Sequence, residues 1–198
     1  MGRATRPRPL SARRLEILKS AAAAFRRRGY HGASVEEIAR ALRMTKGSLY
    51  YHFRDKEEIL FVLHDWSVDL LLERLGEVEK EGAAPDAKLR RLIQAFVHMI
   101  IDELHGTALT MDLQALSPAR LRRVIAKRDR FDRGLRRIVQ EGMEAGVFAR
   151  GDPKLAAFAV LGAVNWITRW YDPRGPKGSE EIGRAMADMV LDGLRGRP

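Results

Sequence analysis

The side chains best suited to bind another molecule lie in a short run near the N-terminus. Lys46, Tyr50, Tyr51 and His52 supply hydrogen-bond donors within seven residues. Gly47 and Ser48 between them are small, so a helix carrying this run is able to approach base edges closely. Donors of this kind contact phosphates and the edges of bases in DNA. The run therefore predicts a surface that binds nucleic acid.

Two short predicted helices position this run. The first covers residues 35–42 and follows Ser34, which opens a Ser-x-x-Glu capping box. The second covers residues 45–51 and begins at Thr45, a preferred capping residue. Only Arg43 and Met44 separate the two helices. This arrangement is typical of a helix-turn-helix, whose second helix enters the major groove.

The positive charge is confined to the same part of the chain. Residues 1–54 contain 13 Lys and Arg against 3 Asp and Glu, whereas residues 55–198 contain 23 of each. The whole excess of +10 therefore belongs to the first quarter of the chain. A basic module joined to a neutral one indicates nucleic-acid binding with a second task behind it. The alternative is a basic face that only keeps the protein soluble.

The motifs of common enzymes and metal sites are missing from the 198 residues. The chain has no cysteine, no glycine-rich phosphate loop, no Gly-x-Ser-x-Gly elbow and no His-Glu-x-x-His. Its five histidines lack metal spacing, and the pair His98 and Asp102 fits a solvated contact. We expect no catalytic residue, metal or cofactor. No apolar run is long enough to span a bilayer and no secretory signal is evident, so we expect a cytoplasmic location.

The apolar residues repeat with helical spacing almost throughout, and no run alternates as a strand does. The pattern predicts an all-α chain of about nine helices. The first predicted helix starts after Leu10 and is ended by Gly29. After the two short helices, the predicted helices cover residues 56–81, 86–104, 108–116, 119–145, 153–171 and 179–193. Those at 86–104 and 119–145 are expected to pack against the long helix at 56–81. Residues 1–9, rich in Arg and Pro, predict a flexible basic arm.

Three motifs in order resemble the N-terminal pattern of TetR-type transcriptional repressors. They are Ser34-Val-Glu-Glu-Ile-Ala, Thr45-Lys-Gly-Ser-Leu-Tyr-Tyr-His-Phe and Asp55-Lys-Glu-Glu, and the match spans residues 11–62. The resemblance implies a homodimer on a palindromic operator. It also implies a DNA-binding domain at residues 10–54 and a domain for ligand binding and dimerisation at residues 55–198.

The resemblance assigns DNA contacts residue by residue. The recognition surface would comprise Thr45, Lys46, Gly47, Ser48, Tyr50, Tyr51 and His52. Lys56, at the start of the next helix, would hold a phosphate. Leu49 and Phe53 are expected in the core.

The second domain offers candidate ligand residues of two kinds. The apolar candidates for pocket walls are Phe96, Met99, Leu109, Met111 and Leu113; ordinary core packing is the alternative. Residues 120–137 hold nine Lys and Arg, including Arg130 and Arg133, against two Asp. That stretch attracts an anionic ligand such as one bearing phosphates, unless acidic neighbours neutralise it.

A third group lies in the predicted helix at 153–171. Asn165 and Arg169 are four residues apart and share a helix face, and so do Trp166 and Trp170. These side chains suit a ligand site, a dimer interface or both.

The run from Gly162 to Pro173 resembles the C-terminal helix of TetR-type repressors that respond to acyl-coenzyme A thioesters. That resemblance implies an acyl-CoA effector, and we expect a long-chain fatty acyl-CoA first. Phenylacetyl-CoA, sterol-like CoA thioesters and a hydrophobic ligand without coenzyme A remain alternatives. A different class of protein, a CoA-thioester-binding protein or enzyme with an incidental basic N-terminus, is the other reading.

Overall fold

The computed structural model describes residues 10–103 and 112–195, and these two ranges contain eight α-helices and no strand. The helices are α1 (Ala12–Gly32), α2 (Val35–Ala41), α3 (Lys46–His52), α4 (Lys56–Lys80), α5 (Pro85–His98), α6 (Pro118–Glu144), α7 (Pro153–Trp170) and α8 (Ser179–Arg195). The all-α prediction is confirmed. Residues 108–111 of the helix predicted at 108–116 lie outside the described residues, and the five that follow hold only the 3₁₀ turn Leu113–Ala115.

The first three helices contribute buried apolar side chains to a hydrophobic core that continues into the later helices. Phe25 of α1, Ile38 of α2 and Leu49 of α3 are fully buried, and Phe53 closes the module after α3. Side-chain oxygens fix where the short helices begin. Ser34 Oγ accepts from Glu37 N at 3.0 Å, and Thr45 Oγ1 accepts from Ser48 N at 3.1 Å.

The end of α1 differs from the prediction that Gly29 stops the helix. Gly29 adopts φ +69° and kinks α1, but a further helical turn continues to Gly32. A positive φ is easily reached by glycine because it has no Cβ. The chain then enters α2 directly, so the kink sets the direction of the helix-turn-helix relative to the rest of α1.

The second helical group follows α4. α4 packs on α5 and α6, as predicted, while α8 packs on α5 and α7 on α6. At the end of α6, the ring of Phe148 lies so close to Gly142 that a Cβ there would stand 2.1 Å from a ring carbon. This contact requires glycine.

α5 begins one residue earlier than predicted, at Pro85. Proline fits the first turn of a helix, where its missing N–H has no acceptor to bond. At its other end, α5 passes into a π-helical turn at Met99–Glu103. Such turns place an extra residue in each hydrogen-bonded loop and often occur at functional sites.

Candidate DNA interface and ligand cavity

The turn between α2 and α3 has a complete helix-ending motif. Met44 N donates to Ala39 O at 2.9 Å and Arg43 N donates to Arg40 O at 3.0 Å. Arg43 takes the left-handed conformation, with φ +53°, where glycine is usual. The turn is therefore closed by backbone bonds, and it fixes the angle at which α3 leaves α2.

α3 presents the predicted recognition residues on one open surface. Tyr51 is 88% exposed and Tyr50 is 40% exposed, whereas the neighbouring Leu49 is fully buried. Thr45, Lys46, Gly47 and Ser48 are exposed as well, and His52 is half-buried with its ring edge-on to Tyr51. The structure thus brings all seven residues together. Their contacts with DNA stay a prediction.

Lys46 is held in place by an acidic residue of α2. Its ammonium group forms an ion pair with Glu36, and that hydrogen bond lowers the pKa of Glu36. The same ammonium group lies 5.9 Å from the centre of the Tyr50 ring. The ammonium group of Lys46 is thus paired within the helix-turn-helix, while about half of its side chain is exposed to solvent.

Lys56 makes contacts that sequence reasoning did not predict. Its Nζ donates to the carbonyl oxygens of Tyr30 at 2.8 Å and Ala33 at 2.9 Å, and it lies 4.4 Å from the centre of the Tyr30 ring. These bonds join the start of α4 to the end of α1. The structure thus gives Lys56 a part in orienting the helix-turn-helix. The predicted phosphate contact is untested.

A cavity of about 970 Å³ lies between α4 and α5. Its apolar wall consists of Leu15, Trp66, Leu70, Leu71, Val78, Ala95 and Met99. Leu15 belongs to α1, so a helix of the DNA-binding module forms part of the wall. A site of this size and lining suits a drug-sized apolar ligand.

Charged residues surround the cavity and are largely paired with one another. Arg74 pairs with Glu77 at 2.8 Å, Arg184 with Glu180 at 2.8 Å, and Arg91 with Glu81. Glu103 pairs with Lys19 of α1 at 3.0 Å. The rim therefore offers both signs of charge in similar amounts.

The predicted apolar ligand residues do not converge on this cavity. Met99 lines it, but Phe96 packs edge-on against Phe131 at 5.8 Å in the core, and Leu113 packs against the core half-buried. Leu109 and Met111 lie outside the described residues.

The basic stretch on α6 faces the acidic side of α4. Arg123 and Lys127 pair with Asp65 at 3.1 and 2.6 Å, and Arg137 pairs with Glu79. Arg130 and Arg133 are exposed and have no ion pair within the described ranges. Acidic side chains of α4 therefore neutralise several of the positive charges that were predicted to attract an anionic ligand.

α7 carries its polar and aromatic group on the outside. Trp166 is 64% exposed and Trp170 50% exposed; Arg169 is exposed and Asn165 half-buried. None of the four lines the cavity between α4 and α5. The structure therefore separates this group from the apolar pocket of the same chain.

The α4 wall of the cavity was missed by sequence reasoning. Trp66, Leu70 and Arg74 follow one another at four-residue intervals, so they share one helix face. That spacing also fits ordinary core, and only the packing of α5 on α4 shows that the face borders a cavity.

In residues 10–103 and 112–195 no group of His, Asp and Glu side chains is placed to hold a metal ion. No helix in these ranges is long and apolar enough to cross a membrane.

Comparisons with known proteins match both parts of the chain. Residues 17–63 match the family model of bacterial regulatory proteins of the tetR family. Residues 82–194 match that of a tetracyclin repressor-like C-terminal domain.

Full-length relatives agree with the family models. The HTH-type transcriptional repressor KstR2 of Mycolicibacterium smegmatis is 30% identical, over 95% of this chain and 93% of its own. The fatty acid metabolism regulator protein of Bacillus subtilis is 28% identical, over 92% and 96%. A crystal structure of AibR with isovaleryl coenzyme A and operator DNA is 30% identical, covers 90% of this chain and 98% of that one, and has a TM-score of 0.72.

Proposed function

The chain belongs to the TetR family of bacterial regulatory proteins, and we propose that it is an operator-binding repressor released from DNA by an acyl-CoA thioester. Such a protein acts in the bacterial cytoplasm, where its operator is. In this proposal, residues 10–54 form the DNA-binding domain, and residues 55–198 form the domain for ligand binding and dimerisation.

The exposed surface of α3 carries the proposal of DNA binding. Tyr51 projects into solvent beside Tyr50 and Lys46, on a short helix anchored by buried Leu49. The tyrosine hydroxyl groups and the lysine ammonium group are donors of the kind that contact phosphates and base edges. A helix of this kind, second in a helix-turn-helix, fits the major groove.

A stripe of exposed apolar residues on α7 supports a homodimer. Its exposed apolar residues are Leu155, Phe158, Trp166 and Trp170, and Met189 of α8 is 66% exposed. Apolar stripes of this length are characteristic of interfaces between subunits. A second copy covering the stripe would place two α3 helices on two half-sites of a palindrome. In that dimer, the α7 residues predicted from the sequence lie at the interface, where they contact the partner subunit or a ligand bound there. These residues are Asn165, Trp166, Arg169 and Trp170.

The apolar cavity supports an effector with an acyl chain. Its wall is formed by flexible Leu and Met side chains and by Trp66, which adapt to a hydrocarbon chain. The arginines at the rim, Arg74, Arg91 and Arg184, and the exposed Arg130 and Arg133 on α6 are candidate partners for the phosphates of coenzyme A. AibR, with isovaleryl coenzyme A and operator DNA in one structure, is a related case.

One observation favours a hydrophobic ligand without coenzyme A as the second candidate. The arginines at the rim already pair with glutamates, so an anionic headgroup has to compete for them. A free fatty acid with the same chain as a thioester therefore belongs in every ligand test, and phenylacetyl-CoA beside it.

DNA binding is tested first without ligand. Duplexes selected from a random library by the full-length chain are titrated by fluorescence anisotropy at several salt concentrations. We expect tight binding to a palindrome that weakens steeply with salt, because several phosphates are contacted.

Tyr51→Ala is expected to weaken this binding by about tenfold or more, a typical cost of losing one good base contact. Ile125→Ala, at an exposed apolar residue of α6, is the matched control and leaves binding unchanged. Failure to enrich any duplex would refute the proposed function.

A further inference from the structure

Two acidic side chains of the second helical group bind α1 directly. Asp112 Oδ2 accepts a hydrogen bond from Tyr30 N at 2.7 Å. Glu103 forms an ion pair with Lys19 at 3.0 Å. Both acids belong to the connection between α5 and α6, and their partners lie eleven residues apart on α1. α1 is therefore tied to this connection at two separate points.

The tie at Tyr30 lies where the direction of the helix-turn-helix is set. Gly29 kinks α1 just before it, and the carbonyl oxygens of Tyr30 and Ala33 bind Lys56 of α4. The backbone of Tyr30 is thus held on its N–H side by Asp112 and on its carbonyl side by Lys56. Since Ser34 opens α2 only four residues later, a shift of Asp112 is passed to α2 and α3 with little chain between.

The tie at Lys19 lies at the cavity. Glu103 is both the partner of Lys19 and a lining residue, at the end of the π-helical turn that follows α5. Leu15, one turn before Lys19 on the same face of α1, also lines the cavity. Any molecule that fills the cavity beside Glu103 therefore meets α1 as well.

We propose that Glu103 and Asp112 are positioning residues that hold α1, and with it α2 and α3, in the orientation that binds DNA. The inference rests on the proposed function and adds the residues that connect its two parts. A ligand in the cavity displaces Glu103 from Lys19, and the loss of this tie lowers the affinity for DNA. An effect on DNA binding then follows from differential affinity of the ligand for the two orientations.

The test measures binding to a duplex selected by the unmodified chain, with the ligand-free protein, by fluorescence anisotropy. Glu103→Gln removes the charge that binds Lys19. Asp112→Gly removes the acceptor of Tyr30 N without straining the backbone, since Asp112 has φ +47°. Each is expected to weaken duplex binding by about three- to fivefold, the scale of one partly exposed polar pair. Asparagine keeps an acceptor at the same place and tolerates this backbone conformation. Asp112→Asn is therefore expected to bind the duplex as the unmodified chain does.

Two matched controls separate the ties from general loss of charge. Glu16→Gln breaks the ion pair with Arg13 inside α1, and Glu181→Gln breaks the pair with Lys177 at the start of α8, where neither residue lines the cavity. Neither pair joins α1 to the second helical group, so both variants bind the duplex as the unmodified chain does. Wild-type affinity in Glu103→Gln and in Asp112→Gly would overturn the proposal, as would equal losses in the two controls.

Two further readouts move only if the ties position α1. Amide hydrogen exchange at residues 30–33 is expected to speed up in Asp112→Gly while the midpoint of thermal unfolding changes little. With isovaleryl-CoA or palmitoyl-CoA as probes, the factor by which a thioester weakens duplex binding is smaller in Glu103→Gln than in the unmodified chain. An equal factor in both would count against the role of Glu103. A chain that selects no duplex would instead refute the proposed function, and the exchange of residues 30–33 would still decide whether Asp112 holds Tyr30.

Discussion

At the scale of single residues, Lys56 shows how one side chain joins two parts of the molecule. Its ammonium group satisfies carbonyl oxygens at the end of α1 that have no partner in a helix beyond Gly32. Hydrogen bonds from a charged donor to such carbonyls stabilise more than neutral ones do. A lysine at the start of a helix is otherwise unfavourable for the helix dipole, so its contacts must outweigh that cost.

Lys56→Ala is expected to lower the free energy of unfolding by about 1–3 kcal/mol, the cost of leaving buried acceptors without a charged donor. Urea denaturation measures this. Lys80→Ala, an exposed lysine of the same helix, is the charge-matched control. The variant also decides the predicted phosphate contact. A change in the slope of DNA affinity with salt of roughly one charge per chain supports that contact, and an unchanged slope leaves only the structural role.

Arg43 carries backbone strain for the sake of a tight turn. Its positive φ closes the end of α2, where glycine is free of the clash that Cβ makes. Arg43→Gly is expected to stabilise the protein by up to about 1 kcal/mol. Arg40→Gly removes the same charge from inside α2 and is expected to destabilise by about 1 kcal/mol. Loss of stability in both variants, measured by urea denaturation, would contradict the assignment.

At the scale of helices, close approach at α6 depends on Gly142. A Cβ there meets the ring of Phe148, which is only 3% exposed and has little room to move. Gly142→Ala is therefore expected to destabilise by about 1–3 kcal/mol through overpacking. A Cβ added at Gly76 in α4 would meet no neighbouring side chain within 4 Å. Gly76→Ala is therefore expected to stabilise the protein instead. Thermal unfolding of both variants gives the comparison, and a stable Gly142→Ala would disprove the contact.

The start of α6 is anchored on α4 by Glu57. The hydrogen bond from Ser117 N, at 2.7 Å, lowers the pKa of Glu57, and Arg120 at 3.1 Å adds to the effect. A carboxylate with a lowered pKa in the folded state stabilises the protein above its unfolded pKa, about 4.3 for glutamate. That contribution disappears as the pH falls through the folded pKa.

Glu57→Gln is accordingly expected to cost about 1 kcal/mol near pH 7 and progressively less as the pH falls from about 5 to 3. Urea denaturation at a series of pH values measures the difference. Glu73→Gln, an exposed glutamate of α4, serves as control. A cost that grows on acidification would contradict the assignment of the hydrogen bond to the ionised form.

Sequence reasoning predicts those features of the elements that depend on neighbours in the chain. Ser34, Thr45 and Asp55 all cap the helices that their patterns predict. The exposed face of α3 follows from buried Leu49, since helical spacing fixes which residues lie opposite. Contacts between distant segments escape it. The carbonyl partners of Lys56 lie 23 and 26 residues earlier.

The ligand residues illustrate the same limit. Phe96 and Met99 stand on successive turns of one helical segment, yet Phe96 packs on Phe131 in the core while Met99 borders the cavity. Spacing gives the helix face of each residue. Which neighbour covers that face is decided by how α4, α5 and α6 pack, and this is not encoded in any local pattern.

At the scale of the whole molecule, the proposal needs two copies of the chain. The stripe on α7 has to be covered for two α3 helices to reach a palindrome together. Trp166→Glu places a charge in the middle of this stripe and is expected to shift the protein to monomers in sedimentation velocity. Ile125→Glu, at an exposed residue of α6 outside the stripe, is expected to leave the dimer intact. A dimer that survives Trp166→Glu with unchanged affinity would place the interface elsewhere.

Release of DNA by an effector is measured by titrating the protein–duplex complex with candidate ligands. A duplex selected by the chain is held in complex while isovaleryl-CoA, palmitoyl-CoA, phenylacetyl-CoA and palmitic acid are added in turn, with free coenzyme A as control. We expect at least one thioester to weaken duplex binding while free coenzyme A does not, and we expect the size of the effect to vary with acyl chain length. Release by palmitic acid alone would favour the ligand without coenzyme A. Tight duplex binding that none of these compounds disturbs would refute release by an acyl-CoA effector.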